Sequence, residues 1–294
     1  MDARQLEYFL AVVDEGGVRA AAEKLYVAQP SVSQSIRTLE RSLGTDLFSR
    51  AGRSLRLTAA GEALVAPARE VLHWLDLSRA NVEAVSGLRR GRLVITTMPS
   101  QAVDPLPGVL DVFSRQYPHV EVVIRAAGTP AVVSALVLSG AVEVGIAATT
   151  TPLSAGSLTL VPVAQQGFIV VAPRDSRLPA GRTLSYADLE GIRLIAGQDG
   201  TGMRKVADEV VAANRSTAIV IESEHREAIL PMVLAGTGTA IMAEGWRSLA
   251  RHAGLQVNDL RTDVGLTLVA MHRSTELSPA ASAFLDVFRS AGSL

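Results

Sequence analysis

The sequence predicts an N-terminal all-α domain of the winged helix-turn-helix type, a long linker helix behind it, and a C-terminal α/β domain of two doubly wound lobes. Three observations carry that expectation. Apolar residues recur at helical spacing from Leu6 to Leu43, with glycine stops between the runs. After Thr58, a good N-cap, helical spacing continues for roughly 30 residues with no domain of its own to bury it. From Arg92 onward, strand-like and helix-like segments alternate, as in sheets covered by helices. A chain of 294 residues, 48% hydrophobic and 19% charged, is folded and long enough for two or three domains.

Taken in order, Leu6, Phe9, Leu10 and Val13 form a helical stripe that stops at Gly16 and Gly17. VRAAAEKL then buries Val18, Ala21, Ala22 and Leu25, and its alanines let another helix approach closely. A short break leads into AQPSVSQSIRTLERSLG, Ala28 to Gly44, where Val32, Ile36, Leu39 and Leu43 make one buried stripe and Pro30 fits only the first turn. The other faces carry Ser31, Ser33, Gln34, Ser35, Arg37, Thr38 and Arg41. Two helices joined by a tight turn, the second polar and arginine-bearing outward, is the arrangement that lays a helix in the DNA major groove. Gln29, Pro30, Ser31, Ser33, Gln34 and Arg37 are the candidate contacts to base edges or nearby phosphates, glutamine pairing best with adenine and arginine with guanine.

GTDLFSRAGRSLRLT follows, with Arg50, Arg53 and Arg56 and no acid among them, while Leu55 and Leu57 alternate about Arg56 as in a strand. This predicts a β-wing whose Arg50 and Arg53 lie along phosphates. In the long helix, Leu64, Ala68, Val71, Leu72, Leu75, Val82 and Val85 recur near helical spacing, and its expected partner is the same helix of a second subunit, with Trp74 in the dimer packing and Pro67 as a bend. GLRRG, Gly87 to Gly91, breaks the helix as a hinge. The expected domains are therefore 1–58, 59–90 and 91–294.

The third region reads as strand RLVITT, a helix ending at SRQYP, strand VEVVIRAA, a helix from Thr129 to Gly140 and strand VEVGIAA, a βαβαβ order that implies a parallel sheet. Strands GFIVVAP and IRLIAG, a helix from Met203 to Asn214, strand TAIVIE, helix EAILPMVLAG and strand TAIMA continue it. Ligand contacts are expected outside the carboxyl ends of such strands. Ser100 and Thr129 each follow a strand and start a helix, where amides and the dipole favour an anion, although both also suit a plain N-cap. GQDGTGMRK offers Thr201, Gly202 and Arg204 at a strand-to-helix turn. It mimics half of a dinucleotide motif but lacks the third glycine, and Glu222 is the sole acid available to a ribose. His225 and Arg226 follow TAIVIE and should face the same cleft; an arginine there suits a carboxylate or phosphate, or else pairs with Glu222 or Glu224.

Composition narrows the function. No cysteine is present, which removes disulfides, thiolate metal sites and thiol redox sensing, and the five histidines stand too far apart in sequence for a helical metal site. The net charge of −1 implies that any basic surface arises from placement. No secretory h-region opens the chain and no apolar run reaches the roughly 18 residues of a membrane span, so a cytoplasmic protein without membrane contact is expected. No nucleophile elbow, P-loop or acid/base pair supports an enzyme, which leaves a dinucleotide-binding enzyme or a periplasmic solute-binding protein as the lesser alternatives.

The segment LEYFLAVVDEGG…AAAEKLYVAQPSVSQSIRTLERSLGTDLFSR…LRLTAAGEAL resembles the LysR-type transcriptional regulators of bacteria. PLPGVLDVFSRQYPHVEVVI, SGAVEVGIA, VLAGTGTAIM and LSPAASAFLDVF are similar to that family's effector domain, in order. The resemblance implies a periplasmic-binding-protein-like domain that senses a small molecule between two lobes, lobe I taking 92–165 and 267–294 and lobe II 166–266. It also implies effector contacts at Ser100 and Thr129, a homodimer or homotetramer on double-stranded promoter DNA, RNA polymerase as a partner, and no cofactor beyond the effector. Two departures stand out. Gly17, Val18, Arg19 and Ala20 replace the family's usual Ser, aromatic, Thr and Arg, and Ala28 replaces the usual capping Thr or Ser before the recognition helix.

Overall fold

The computed structural model describes residues 1–51, 54–84 and 91–291, and the chain divides into two compact units, one built on Met1–Gly87 and the other on Leu88–Leu138 with Val142–Leu294.

In the first unit, α1 (Ala3–Asp14) starts from a capping box in which Asp2 accepts from the Gln5 amide, so one of its first-turn amides is satisfied locally. After α2 (Val18–Lys24), the chain turns through Tyr26 at φ 54 and enters α3 (Gln29–Leu43), which stops at Gly44 in the left-handed conformation. Strands β1 (Phe48–Ala51) and β2 (Ser54–Leu57) pair antiparallel with Phe48 opposite Leu57, forming the wing. The long helix α4 (Ala59–Ala84) follows; Thr58 Oγ1 accepts from the Gly61 amide, and the helix runs on through Pro67 without interruption. Phe9, Ala21, Val32, Leu39, Leu47 and Ala68 form the buried centre of this unit. Leu43 departs from expectation. It is 40% exposed, because it is the last residue of α3 and the stripe has already rotated off the core by that turn. The predicted hinge lies outside the described residues except for Gly91, which opens the next strand.

The second unit holds two sheets. The first is ordered β4-β3-β5-β12-β6 from β3 (Gly91–Thr97), β4 (Val120–Ala126), β5 (Val144–Thr149), β6 (Leu158–Gln166) and β12 (Leu266–Arg273). The second is ordered β11-β7-β10-β8-β9 from β7 (Phe168–Ala172), β8 (Arg193–Gly197), β9 (Ala218–Ser223), β10 (Thr239–Ala243) and β11 (Gln256–Leu260). β3 runs parallel to β4 and β5, and β8 runs parallel to β9 and β10, which is the βαβ core of each lobe. β12, β6, β7 and β11 add antiparallel pairs to those centres.

Helices α5 (Pro99–Val103), α6 (Leu106–Gln116), α7 (Pro130–Leu138) and α11 (Pro279–Ala291) belong with the first sheet, and α8 (Gly202–Ala213), α9 (Ile229–Leu234) and α10 (Arg247–His252) with the second. Phe113 of α6 meets Phe284 of α11 edge to face at 5.7 Å, closing the core of the first lobe. Leu194, Val206 and Ile241 are fully enclosed in the second. The chain leaves the first lobe between β6 and β7 and returns between β11 and β12, and residues that follow the carboxyl ends of β3 and β8 border one cleft.

Candidate functional site

Two regions concentrate the sequence candidates, one in each unit. On α3, Val32, Ile36 and Leu39 are buried, while Gln29, Pro30, Ser31, Gln34 and Arg37 are exposed and Ser33 is half-buried. The exposed polar stripe is partly organised within the helix: Thr38 Oγ1 donates to the Gln34 carbonyl at 2.9 Å, and Arg41 donates to Thr38 Oγ1 at 3.1 Å. The helix's one acid, Glu40, turns away from that stripe and accepts from the Leu47 amide at 2.9 Å, tying the recognition helix to the wing. The N-cap Ala28 provides no side-chain acceptor to the first turn. Arg19, in place of the family's usual residues, pairs with Glu23 at 2.9 Å in solvent. Arg50 stands in β1, and its side chain is outside the described residues, as is the whole of Arg53.

In the second unit, the cleft between the sheets is nearly filled, leaving about 10 Å³ of open space bordered by Ser100, Gln101, Thr201, Gly202, Met203 and Arg226, with Met98 and Leu266 as apolar walls. Ser100 is 3% exposed and does not act as a helix cap: the N-cap of the short α5 is Met98, and Ser100 Oγ instead accepts from Trp246 Nε1 at 3.0 Å and lies 3.8 Å from Met203 Sδ. Its hydroxyl is therefore turned across to the other lobe. Thr129 is a weak cap, accepting from the Val132 amide at 3.4 Å. Thr201 caps α8 through the Arg204 amide and donates to the Gln198 carbonyl at 2.8 Å, so its hydroxyl is already committed. Gly202 lines the cleft so tightly that a Cβ there would lie 2.7 Å from Leu266 Cδ2 and 2.8 Å from Thr150 Cγ2.

Two candidates fall away from the cleft. Arg204 is held by Asp208 at 2.8 Å and by Glu222, and both acids keep its guanidinium charged and engaged. That ion pair also occupies Glu222, the acid a dinucleotide ribose would need. His225 is exposed and pairs with Glu227 at 3.2 Å. Neither had a sequence signal separating it from its neighbours, since both follow a strand end in the same way as residues that do reach the cleft.

Arg226 behaves differently from its neighbour. It is 2% exposed, pairs with neither Glu222 nor Glu224, and donates to the Gly128 carbonyl of the opposite lobe at 2.8 Å. Its Nε has no partner. Burial without a counter-charge pushes its pKa down to about 10, so it remains a cation at neutral pH. Gln198 packs on the same glycine, whose added Cβ would lie 2.8 Å from Gln198 Nε2, so two second-lobe side chains bracket Gly128. Sequence reasoning missed Gln101 and Trp246. Trp246 follows the carboxyl end of β10 just as the chosen candidates follow other strands; Gln101 is adjacent to Ser100 and is 1% exposed with neither amide atom paired.

The chain matches two family models, one described as bacterial regulatory helix-turn-helix protein, lysR family, over residues 3–62, and one as LysR substrate binding domain over residues 86–293. Among curated relatives, a probable RuBisCO transcriptional regulator of Synechocystis sp. is 28% identical over 81% of this chain and 70% of its own length. The HTH-type transcriptional activator CmpR of the same organism is 27% identical over 96% of this chain and 93% of its own. The crystal structure of full-length CbnR complexed with its target DNA superposes at a TM-score of 0.69 with 25% identity, covering 99% of this chain and 100% of that one. Full-length OxyR C199D from Pseudomonas aeruginosa reaches a TM-score of 0.74 at 23% identity, over 100% of this chain and 95% of that one, a likeness of fold.

Proposed function

The chain belongs to the LysR family of bacterial regulatory proteins, a transcription regulator with an effector-binding domain, and from that premise we propose that it binds double-stranded promoter DNA through α3 and the wing while a small organic anion in the interlobe cleft sets its activity. Arg226 carries the anion reading: a buried guanidinium facing the cleft with one neutral carbonyl for a partner and a free N–H is a receptor for negative charge. Ser100, with its hydroxyl on the cavity, is the second ligand contact. Thr129, Thr201 and Gly202 shape the site from its rim.

On the DNA side, Gln29, Pro30, Ser31, Ser33, Gln34 and Arg37 read the major groove, with Arg50 and Arg53 on flanking phosphates. Val71, Trp74 and Leu75 are 44%, 45% and 39% exposed on α4, apolar surface that suits pairing with the same helix of a second copy and, through two such pairs, a homotetramer. Effector binding then changes the relation of the two lobes, the spacing of the DNA-binding units and the bend in the promoter, and so its use by RNA polymerase in the cytoplasm.

The test is selection of bound duplexes from fragments of the source genome, followed by titration against salt. Affinity falls steeply with salt, and Arg37→Ala or removal of residues 1–58 abolishes selection. Binding that ignores salt and survives loss of residues 1–58 refutes the assignment of the DNA surface.

A further inference from the structure

Gln101 has no part in the reading above, and it is the least satisfied polar side chain facing the cleft. It is 1% exposed, borders the same cavity as Arg226, and neither its Oε1 nor its Nε2 has a hydrogen-bond partner. A buried primary amide without partners is a pair of complementary demands, one for an acceptor and one for a donor. No other group of the cavity bonds to it: Thr201 is committed to Gln198 and Arg204, Ser100 accepts from Trp246, and Arg226 donates to Gly128.

Resting on the anion reading, we infer that the effector is a small 2-hydroxycarboxylate, its acid group on Arg226 and Ser100 and its hydroxyl donating to Gln101 Oε1. Each part of that class follows from a different observation. One buried cation lines the cavity and no aspartate or glutamate does among the described residues, so one negative charge is matched and an ammonium group finds no counter-charge. The Ser100 proton faces only the thioether of Met203 at 3.8 Å, a weak acceptor that a carboxylate oxygen displaces. The open space of about 10 Å³ has room for about one water, so a ligand enters only as Met203, an unbranched and flexible side chain, swings aside. Gln101 Oε1 then separates a hydroxy acid from its keto and unsubstituted analogues, because only the hydroxyl brings a donor.

The experiment is isothermal titration of the full chain with four three-carbon acids that differ only at C2: lactate in both enantiomers, pyruvate, propionate and alanine. One lactate enantiomer binds about ten-fold or more tighter than propionate and pyruvate, the difference a buried unpaired amide oxygen supports, and alanine binds no better than propionate. In Gln101→Met, that advantage shrinks to within about three-fold, a methionine being unable to tell the acids apart by hydrogen bonding. Equal binding of all the carboxylates, or a lactate advantage that survives Gln101→Met, overturns the hydroxy-acid assignment and leaves the anion site standing. Binding of none of them, by wild-type protein folded by circular dichroism, overturns both.

Discussion

Trp246 Nε1 donates to Ser100 Oγ at 3.0 Å, joining the turn after β10 in one lobe to α5 in the other, with both residues 3% exposed. Ser100→Ala leaves the indole N–H buried without an acceptor, a loss of roughly 1–3 kcal/mol. Thermal unfolding should register it as a lower Tm, and the emission of Trp246 should shift with it. An unchanged Tm would mean that the indole finds another acceptor and that this bond does not hold the lobes.

Gly61 governs the first unit in a similar way. A Cβ at this position would overlap the Leu47 carbonyl oxygen, which is backbone and is itself fixed because the Leu47 amide is bonded to Glu40. Gly61→Ala therefore forces α4 away from the start of the wing and should cost at least about 2 kcal/mol, at the upper end of overpacking penalties. Urea denaturation of the variant checks the figure; DNA binding should weaken in parallel while effector titrations remain normal.

The helices of the first unit were legible because a core stripe at i, i+3, i+4 and i+7 is imposed by burial itself, and Gly44 marks an end that only a left-handed residue makes. β6 and β11 left weaker traces: LTLVPVAQQ carries Pro162, which argues against a strand, and QVNDL has only two apolar residues in five. The site was legible at the level of strand ends and no further. Arg204 and Arg226 follow strands by the same rule, yet one finds Asp208 and Glu222 in solvent and the other is enclosed without an acid. That difference is set by which side chains the two lobes bring together, and no local pattern encodes it.

Ala28 leaves α3 without a side-chain cap. Ala28→Ser supplies an acceptor to the first turn and should stabilise the unit by about 1 kcal/mol, the usual gain for such a cap. If a DNA phosphate completes this helix start in the complex, the added hydroxyl competes with it, so the gain in Tm should come without a gain in DNA affinity. Parallel unfolding and salt-titrated binding measurements separate the two, and a rise in both would show that the phosphate and this cap do not compete.

Asp104 adds a pH dependence at the lobe boundary. Its carboxyl lies against Gly245, whose added Cβ would be 3.0 Å from Asp104 Oδ2, and burial, followed by the charge of Glu244, raises its pKa above the ordinary carboxylate value. The charged form is thus the disfavoured one in the fold. The contact is at full strength where the acid is protonated in both states, and it weakens as pH rises from the ordinary aspartate value of about 4 through the raised one. Asp104→Asn should therefore have a higher Tm than the parent at neutral pH, with the two curves converging below about pH 4. A constant difference across that range would assign the effect to something other than this carboxyl.

Arg226 sets stability against function. Its folded-state pKa is depressed to about 10 by burial, with no acid to compensate, so the charge costs the fold a constant amount at every pH below that value. The cost is relieved only as pH rises from about 10 toward the ordinary arginine value, where the unfolded chain still holds the proton and the folded one releases it. Arg226→Met removes the charge and keeps an unbranched side chain of similar reach, giving up one hydrogen bond to Gly128, worth about 1 kcal/mol, against the desolvation of a guanidinium. The variant should melt no lower than the parent and should lose carboxylate binding by at least about 100-fold, the range for removing a buried charged partner. In the parent, carboxylate affinity should stay level through neutral pH and fall as pH passes about 10. A variant that melts well below the parent, or one that still binds carboxylates, would make Arg226 a structural bridge to Gly128 and nothing more.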